Sequence, residues 1–242
     1  MKNEIIYGIR PILEAVECGK TIEKIFAKNG LSGDMFNHLK QTSKKFKIQI
    51  QYVPAERINN FTDGNHQGVV AIVSSVKYHD IETITNNAIS NNERVLVIML
   101  DGITDVRNFG AIARTAEAAG VHAIIIPEKG SAPINSESIK TSAGALFKIP
   151  VCKVLKPWYT LKFLKENNFK IIAVSEKGDE DYSKIDYSGN VALIFGAEDK
   201  GISSQILKMC DNKAVIPLKG TTASLNVSVA AGIVIFEILA ER

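Results

Sequence analysis

The feature that most constrains the fold is an alternation of short apolar runs with helical segments in the C-terminal part of the chain. The apolar runs are Arg94–Leu100, Ala123–Ile126, Val151–Val154, Ile171–Val174 and Val191–Phe195. Helical patterns lie between them at Phe109–Ala119, Ser136–Leu146 and Leu161–Asn167. Strands that alternate with helices predict a parallel sheet with helices on its faces. Because ligands of such sheets bind at the carboxyl ends of the strands, the loops after Leu100, Phe195 and Ile216 are candidate site loops.

The N-terminal part predicts a smaller α/β unit over residues 1–76. Its helical patterns are Arg10–Cys18 and Met35–Phe46, and its strand-like runs are Ile22–Ala27, Ile48–Val53 and Val69–Val76. A polar stretch rich in Asn, Thr and Asp follows at 77–92, and we interpret it as a linker that carries one short helix. The remaining residues, 93–242, form the second predicted domain.

Composition narrows the class of protein. With 45% hydrophobic and 23% charged residues, the 242-residue chain is typical of soluble globular proteins. Its net charge of +3 permits a nucleic-acid partner without requiring one. Apolar runs of about 18 residues are lacking, so we expect no membrane span. The opening MKNEIIYGIR has no apolar core of the kind that signal peptides need.

The three cysteines, Cys18, Cys152 and Cys210, are scattered and form no CxxC pair. An odd number of distant cysteines argues against a disulfide framework, and their spacing suggests no metal site. We therefore expect a reduced, cytoplasmic setting and no bound metal.

The loop after Leu100 opens the segment DGITDVRNFGAIARTAEAAGV. Asn108 is placed to cap the helix that follows, and Arg114 lies within that helix. A cation on a helix most often lies on a solvated face, whereas the functional alternative is contact with a phosphate, whose geometry suits a guanidinium group.

The loop after Phe195 reads FGAEDKGIS, in which Gly196 and Gly201 permit a tight backbone turn. The chain has neither the GxxxxGK[ST] pattern of a Walker loop nor a GxGxxG after a strand, so an ordinary nucleotide-binding motif is not indicated. The loop after Ile216 reads IPLKGTTASLNVSVA, where Ser224 begins the final helix. Taken alone, that segment fits helix capping and cofactor contact equally well.

Together and in this order, NFGAIARTAEAAGV, LIFGAEDKGIS and IPLKGTTASLNVSVAAG resemble the signature motifs of the SpoU (TrmH-like) RNA 2′-O-ribose methyltransferases of the SPOUT superfamily. The segments SAPINSESIKTSAGALFKIPV, IIYGIRPILEAVECGKTIEKIFAKNG and HQGVVAIV resemble the RlmB subgroup. The resemblance therefore spans nearly the whole chain.

The resemblance implies an α/β C-terminal domain with a deep trefoil knot and a small N-terminal domain similar to ribosomal protein L30e that grips RNA. It implies a homodimer with active sites at the subunit interface and S-adenosyl-L-methionine as the cofactor. The product that it implies is a 2′-O-methylguanosine in 23S ribosomal RNA.

The resemblance also assigns roles to individual residues. The matching working positions are Asn108, Arg114, Glu198, Ser224 and Asn226, and the cofactor-binding positions are Gly196, Gly201, Ile216, Leu218 and Leu225. Arg114 would hold the RNA phosphate or activate the hydroxyl, and Ser224 and Asn226 would cap the last helix and shape the site. Many relatives have Pro-His where this chain has Val106-Arg107, so Arg107 is a candidate for an additional phosphate contact.

Three alternatives stay open at the level of sequence. The chain could be a non-catalytic RNA-binding homologue, although the intact Asn108, Arg114, Glu198 and Asn226 argue against that. It could methylate transfer RNA, although TrmH-type transfer-RNA enzymes lack the N-terminal domain. Antibiotic-resistance relatives that methylate a ribosomal-RNA adenosine share the two-domain plan. Of the residues outside the motifs, His66 is expected to contact RNA or to hold a loop, and the lone Trp158 is interpreted as a packing residue.

Overall fold

The computed structural model describes residues 4–241. The chain divides into two compact units, Met1–Lys77 and Tyr78–Arg242. The segment 77–92, which the sequence predicts as a linker with one short helix, contains the helix α4 (Ile81–Ser90). Ile81 and Ala88 of this helix are buried in the core of the second unit.

Within residues 4–77, the first unit contains a four-stranded sheet with helices on both faces. Its strands are β1 (Ile5–Tyr7), β2 (Ile22–Lys28), β3 (Ile50–Val53) and β4 (Val69–Val73), in the order β1-β4-β2-β3. Its helices are α1 (Ile9–Glu17), α2 (Asp34–Lys45) and α3 (Ala55–Asn59). One core joins Ile12, Ile25 and Leu39, and a smaller one joins Phe26 and Ile58. Alternate residues of β2 therefore face the two cores, as strand geometry requires.

The second unit contains a seven-stranded sheet among the described residues. Its strands are β5 (Leu96–Asp101), β6 (Ala123–Pro127), β7 (Val151–Val154), β8 (Phe169–Val174), β9 (Glu180–Asp181), β10 (Asn190–Gly196) and β11 (Asn212–Val215). The spatial order is β7-β6-β5-β10-β8-β11-β9, and every neighbouring pair runs parallel. The predicted α/β class with a parallel sheet in the C-terminal domain is confirmed.

Further helices of the second unit cover this sheet. They are α5 (Val106–Ala118), α6 (Ser136–Thr141), α7 (Pro157–Glu166), α8 (Ser204–Leu207) and α9 (Val227–Glu241). The apolar residues of the central strands β5 and β10 are all buried, as expected when helices lie on both faces. From β5 the chain moves outward to β6 and β7, and then crosses to the other side of β5 to form β8 and β10. The chain therefore changes direction across the sheet between the paired strands β5 and β10. This place is a topological switch point, and sheets of this class bind ligands at the carboxyl ends of the strands there.

Several helix boundaries differ from the sequence prediction. Helix α7 begins at Pro157 rather than Leu161, because proline suits the first position of a helix. Helix α6 ends at Thr141 because Ala143 and Gly144 adopt φ angles of 49° and 83°, and a short 3₁₀ turn follows. Helix α5 begins at Val106, three residues earlier than predicted. The trefoil knot stays a prediction. No helix within residues 4–241 is long and apolar enough to span a membrane.

Candidate functional site

A cavity of about 300 Å³ opens at the carboxyl ends of the central strands of the second unit. Its walls come from the ends of β8 and β10, from the loops after β10 and β11, and from the start of α9. Among its lining residues are eight that the sequence predicts as site residues: Gly196, Glu198, Gly201, Ile216, Leu218, Ser224, Leu225 and Asn226. Chain topology thus brings two distant motifs to one cavity.

Three polar side chains form a closed hydrogen-bonded cluster beside this cavity. Asn226 Nδ2 donates to Asn108 Oδ1 at 3.0 Å and to Glu198 Oε1 at 2.8 Å. Asn108 Nδ2 donates to the same Glu198 oxygen at 2.9 Å. The cluster joins all three motifs, since its members come from α5, from the loop after β10 and from the residue before α9. No donor in the described part of the chain reaches Glu198 Oε2, so that oxygen is free to accept another hydrogen bond.

Asn108 is positioned by the N-terminus of α5. Asp105, not Asn108, caps this helix, since Asp105 Oδ1 accepts hydrogen bonds from the backbone N–H groups of Arg107 at 2.7 Å and Asn108 at 3.1 Å. The prediction that Asn108 is the cap is therefore wrong. The helix starts earlier than expected, which places Asn108 in its first turn and leaves its side chain available to the cluster.

Asn226 is oriented by the N-terminus of α9. Its Oδ1 accepts from the backbone N–H of Ser228 at 2.9 Å and from Ser228 Oγ at 2.6 Å. With the oxygen committed to the helix, the amide Nδ2 must face Asn108 and Glu198. The helix begins at Val227, so Ser224 does not start or cap it, contrary to the sequence prediction. Ser224 instead lines the cavity.

The loop after β10 is a tight turn that glycine makes possible. A Cβ on Gly196 would lie 2.2 Å from the carbonyl carbon of Gly201 and 2.3 Å from the backbone nitrogen of Ile202. The turn closes when the Gly201 N–H donates to the Ala197 carbonyl at 2.8 Å. Asp101, at the end of β5, accepts from the Ser203 N–H at 2.7 Å and fixes the loop to the neighbouring strand. Glu198 therefore sits in a loop that is held at both of its ends.

A second cavity of about 220 Å³ adjoins the same cluster. It is lined by Asn108 and by Asp105 on the side of α5, and by Glu198 and Asp199 on the side of the β10 loop. Glu198 lines both cavities. The site thus consists of two adjacent cavities with a carboxylate between them.

Arg114 lies apart from the cluster. It is exposed on α5, two turns beyond the helix start, and it has no hydrogen bond or ion pair to any residue within 4–241. On the neighbouring faces of the same helix, Gly110 contacts α6 and Thr115 lies near Gly232 of α9. The structure therefore does not bring Arg114 to the other predicted site residues, and it leaves the guanidinium available to a partner.

Sequence reasoning missed residues that follow β8. Ser175 and Glu176 line the larger cavity, yet the loop after Val174 was not among the candidate site loops. The available signal was the same one that identified the other loops, namely polar residues directly after an apolar strand. Asp101 was also missed, although it ends the strand that leads into the first motif.

The cysteines lie outside both cavities. Burial, reinforced by the charge of Asp80, raises the pKa of Cys152 to about 12, and burial raises the pKa of Cys210 to about 11. Both thiols are therefore protonated near neutral pH and are poor nucleophiles. Within residues 4–241, no group of three or more His, Cys, Asp or Glu side chains is arranged to hold a metal ion.

Comparison with known families gives two matches that together cover most of the chain. Residues 95–236 match the model of the SpoU rRNA methylase family. Residues 5–79 match the model described as RNA 2′-O ribose methyltransferase substrate binding. The first match contains all ten residues that the sequence analysis assigns to the site.

Individual relatives agree with these matches. A protein of Staphylococcus saprophyticus whose name places it among TrmH family tRNA/rRNA methyltransferases is 32% identical over 100% of this chain and 97% of its own length. The crystal structure of the SpoU methyltransferase AviRb from Streptomyces viridochromogenes, in complex with the cofactor AdoMet, is 25% identical. It superimposes with a TM-score of 0.63 over 100% of this chain and 91% of its own. The A. aeolicus TrmH/SpoU tRNA modifying enzyme is 33% identical, with a TM-score of 0.57 over 62% of this chain and 76% of its own.

Proposed function

The chain belongs to the SpoU rRNA methylase family, and from this premise we propose that it transfers a methyl group from S-adenosylmethionine to a ribose 2′-hydroxyl of RNA. The observation that carries the proposal is the Asn108–Glu198–Asn226 cluster on the boundary between two cavities. One cavity is assigned to the cofactor and the other to the acceptor ribose, so that the reacting groups meet at Glu198.

The larger cavity fits S-adenosylmethionine in size and chemistry. Its volume of about 300 Å³ is at the lower end of the range for small-molecule sites, roughly 300–1,000 Å³. Ile216, Leu218 and Leu225 supply apolar contacts for the adenine, and Gly196 permits the tight turn that forms one wall of the cavity. When bound, the cofactor supplies a methyl group already activated by its sulfonium centre.

The smaller cavity is assigned to the acceptor nucleotide. Glu198 Oε1 is engaged by both asparagines, which leaves Oε2 to accept a hydrogen bond from the 2′-hydroxyl and to take up its proton. The cofactor would supply the methyl group to the hydroxyl oxygen, and Glu198 Oε2 would receive the proton that this oxygen gives up. Asn108 and Asn226 hold the carboxylate in place and so orient it toward the hydroxyl.

Arg114 is assigned to the RNA phosphate next to the acceptor ribose. A guanidinium group stays protonated near neutral pH and binds phosphate through paired hydrogen bonds, so it suits electrostatic stabilisation better than proton abstraction. Its exposure and its lack of a partner within the described residues support this role.

We assign the active form to a homodimer. Helix α9 carries an exposed apolar stripe of Val229, Phe236 and Leu239, spaced so that they lie on one side of the helix. Exposed apolar surface of this kind is typical of a protein interface. Helices α5 and α9 pack together, and α5 carries Arg114. A second copy of the chain that covers the stripe would therefore lie close to α5.

For the substrate we propose a guanosine of 23S ribosomal RNA. The support is the match of residues 5–79 to a substrate-binding family model, together with the match of residues 95–236 to the SpoU rRNA methylase family. The second candidate is transfer RNA, since the A. aeolicus TrmH/SpoU tRNA modifying enzyme is similar to 62% of this chain.

The proposal is tested by methyl transfer in vitro. Purified protein is incubated with methyl-labelled S-adenosylmethionine and, separately, with ribosomal and transfer RNA from cells that lack the gene. The RNA is then digested to nucleosides. We expect label in 2′-O-methylguanosine from 23S RNA. Label only in transfer RNA would overturn the substrate assignment, and label on a base, or in no RNA at all, would overturn the proposed reaction.

A further inference from the structure

A patch of exposed aromatic and cationic side chains lies at the edge of the second unit's sheet, outside both cavities. Leu155 is 71% exposed, Tyr159 56% and Trp158 37%, and all three lie around the start of α7. Trp158, which the sequence predicts to be a packing residue, is only partly covered, whereas Leu161 and Leu164 of the same helix join the core. Contiguous exposed apolar side chains of this size indicate an interaction surface.

The aromatic rings of this patch are accompanied by lysines. The Trp158 and Tyr159 rings meet edge to face with centroids 6.0 Å apart, and Lys156 Nζ lies 5.7 Å from the Trp158 ring centroid. Lys162 follows one turn later on α7. The nearby carboxylates are Glu166, which pairs with Lys162 at 3.8 Å, and Glu128, whose N–H bonds the Val154 carbonyl. Stacking platforms with adjacent cations are the usual means of binding single-stranded nucleic acid.

The patch lies at the carboxyl ends of the strands, as the candidate site does. Parallel register aligns Gly196 with Asp101 and Pro127 with Val154, so the carboxyl ends of β10, β5, β6 and β7 form one row. Strand β7 is three strand spacings from β10. At about 4.8 Å per spacing the separation is about 14 Å. That corresponds to about four stacked nucleotides at roughly 3.4 Å each.

We propose that this patch, formed by Leu155, Lys156, Trp158, Tyr159 and Lys162, binds the single-stranded RNA that flanks the methylated nucleotide. Bases stack on Trp158 and Tyr159 while phosphates lie near Lys156 and Lys162. The inference rests on the proposed function for its choice of RNA as substrate. An RNA occupant is favoured over a protein because lysine is depleted at protein–protein interfaces and because the patch continues the row of the site loops.

The sole tryptophan of the chain makes a direct test possible, since the emission of Trp158 reports on this patch alone. The full-length protein is titrated with an oligouridylate and, as a control for charge, with inorganic polyphosphate at equal phosphate concentration. We expect saturable quenching by the oligouridylate and none by polyphosphate. Absence of quenching, or equal quenching by both, would overturn the proposal. An emission change that follows protein concentration instead of RNA would overturn it in favour of an interface between copies.

Variants connect this binding to methyl transfer. Trp158→Ala removes a ring that stacks on a base, so it should raise the KM for RNA by about five- to a hundredfold and leave kcat unchanged. Trp158→Phe keeps an aromatic ring and should restore most of the affinity for RNA. Lys156→Gln should raise KM, whereas Lys208→Gln, the same change in the exposed loop before β11, should not. Unchanged KM in Trp158→Ala would contradict the inference. The two proposals fail separately, because quenching without any methyl transfer would overturn only the proposed function.

Discussion

Asn226 Nδ2 donates a hydrogen bond to Glu198 Oε1 at 2.8 Å, although 28 residues separate the two in sequence. One residue closes the N-terminus of α9 and the other lies in the turn after β10. The same amide group also bonds Asn108, so a helix cap, a glycine turn and the first turn of α5 meet at one carboxylate. A feature that stabilises a helix therefore also positions the group that we assign to the acceptor hydroxyl.

Asn226→Asp separates capping from positioning. The aspartate keeps an oxygen for the Ser228 N–H, so the contribution of the cap to the free energy of unfolding should be retained. It replaces the donating amide by an acceptor that repels Glu198, and kcat should fall by about a hundredfold with unchanged cofactor affinity. Steady-state kinetics and calorimetry measure the two quantities. The matched variant Asn226→Ala should also lose about 1 kcal/mol of stability with the cap. Wild-type turnover in Asn226→Asp would show that the cluster is not needed for catalysis.

Gly196→Ala tests the turn after β10. The new Cβ would lie 2.2 Å from backbone of Gly201, so the loop must move, and we expect at least a tenfold loss of S-adenosylmethionine affinity. Overpacking of this kind typically costs about 1–3 kcal/mol of stability. The control is Gly220→Ala, where nothing lies within 4 Å of the added carbon. Equal cofactor affinity in the two variants, measured by titration calorimetry, would contradict the assignment of the cavity.

Arg114→Ala tests the phosphate role. Because this side chain is exposed and without a partner in the described residues, its loss should change stability by no more than about 0.5 kcal/mol. Methyl transfer should fall by at least a hundredfold, while cofactor binding stays intact. Arg114→Lys should recover little, since an ammonium group lacks the paired donors of a guanidinium. Near-normal turnover in Arg114→Ala with intact cofactor binding would refute the assignment.

Thiol reactivity tests the burial of the cysteines. A raised pKa means that the protonated form persists to higher pH, so at pH 8 only about one part in a thousand of Cys210 is thiolate. Cys152, with a pKa of about 12, should be slower still, whereas Cys18 is exposed. We expect iodoacetamide to alkylate Cys18 first, with Cys210 gaining rate as pH rises towards 11. Mass spectrometry after timed quenching identifies the sites, and modification of native Cys152 at the rate of Cys18 would be the contrary result.

Sequence patterns predicted the central strands of the second unit and two of its site loops correctly. Strands β5 and β10 contain continuous apolar runs that are buried, and such runs, in alternation with helical segments, predict central parallel strands. The carboxyl-end rule then identified two of the loops that line the larger cavity.

The orientation of the site side chains could not be predicted from the sequence. Either Asp105 or Asn108 can cap a helix, and only the start of α5 at Val106 decides between them. Likewise, Ser224 and Asn226 are both capable caps, and the backbone before Val227 selects Asn226. The partial exposure of Trp158 depends on how α7 packs against the core, which no local pattern specifies.

The most direct test of the central claim is a ribose-methylation map of 23S RNA from cells without the gene, complemented with the wild-type protein or with Glu198→Ala. We expect that one 2′-O-methylguanosine disappears with the gene, returns with the wild type and stays absent with Glu198→Ala at equal protein level. An unchanged map on loss of the gene would contradict the ribosomal assignment, and restoration by Glu198→Ala would contradict the catalytic role of the cluster.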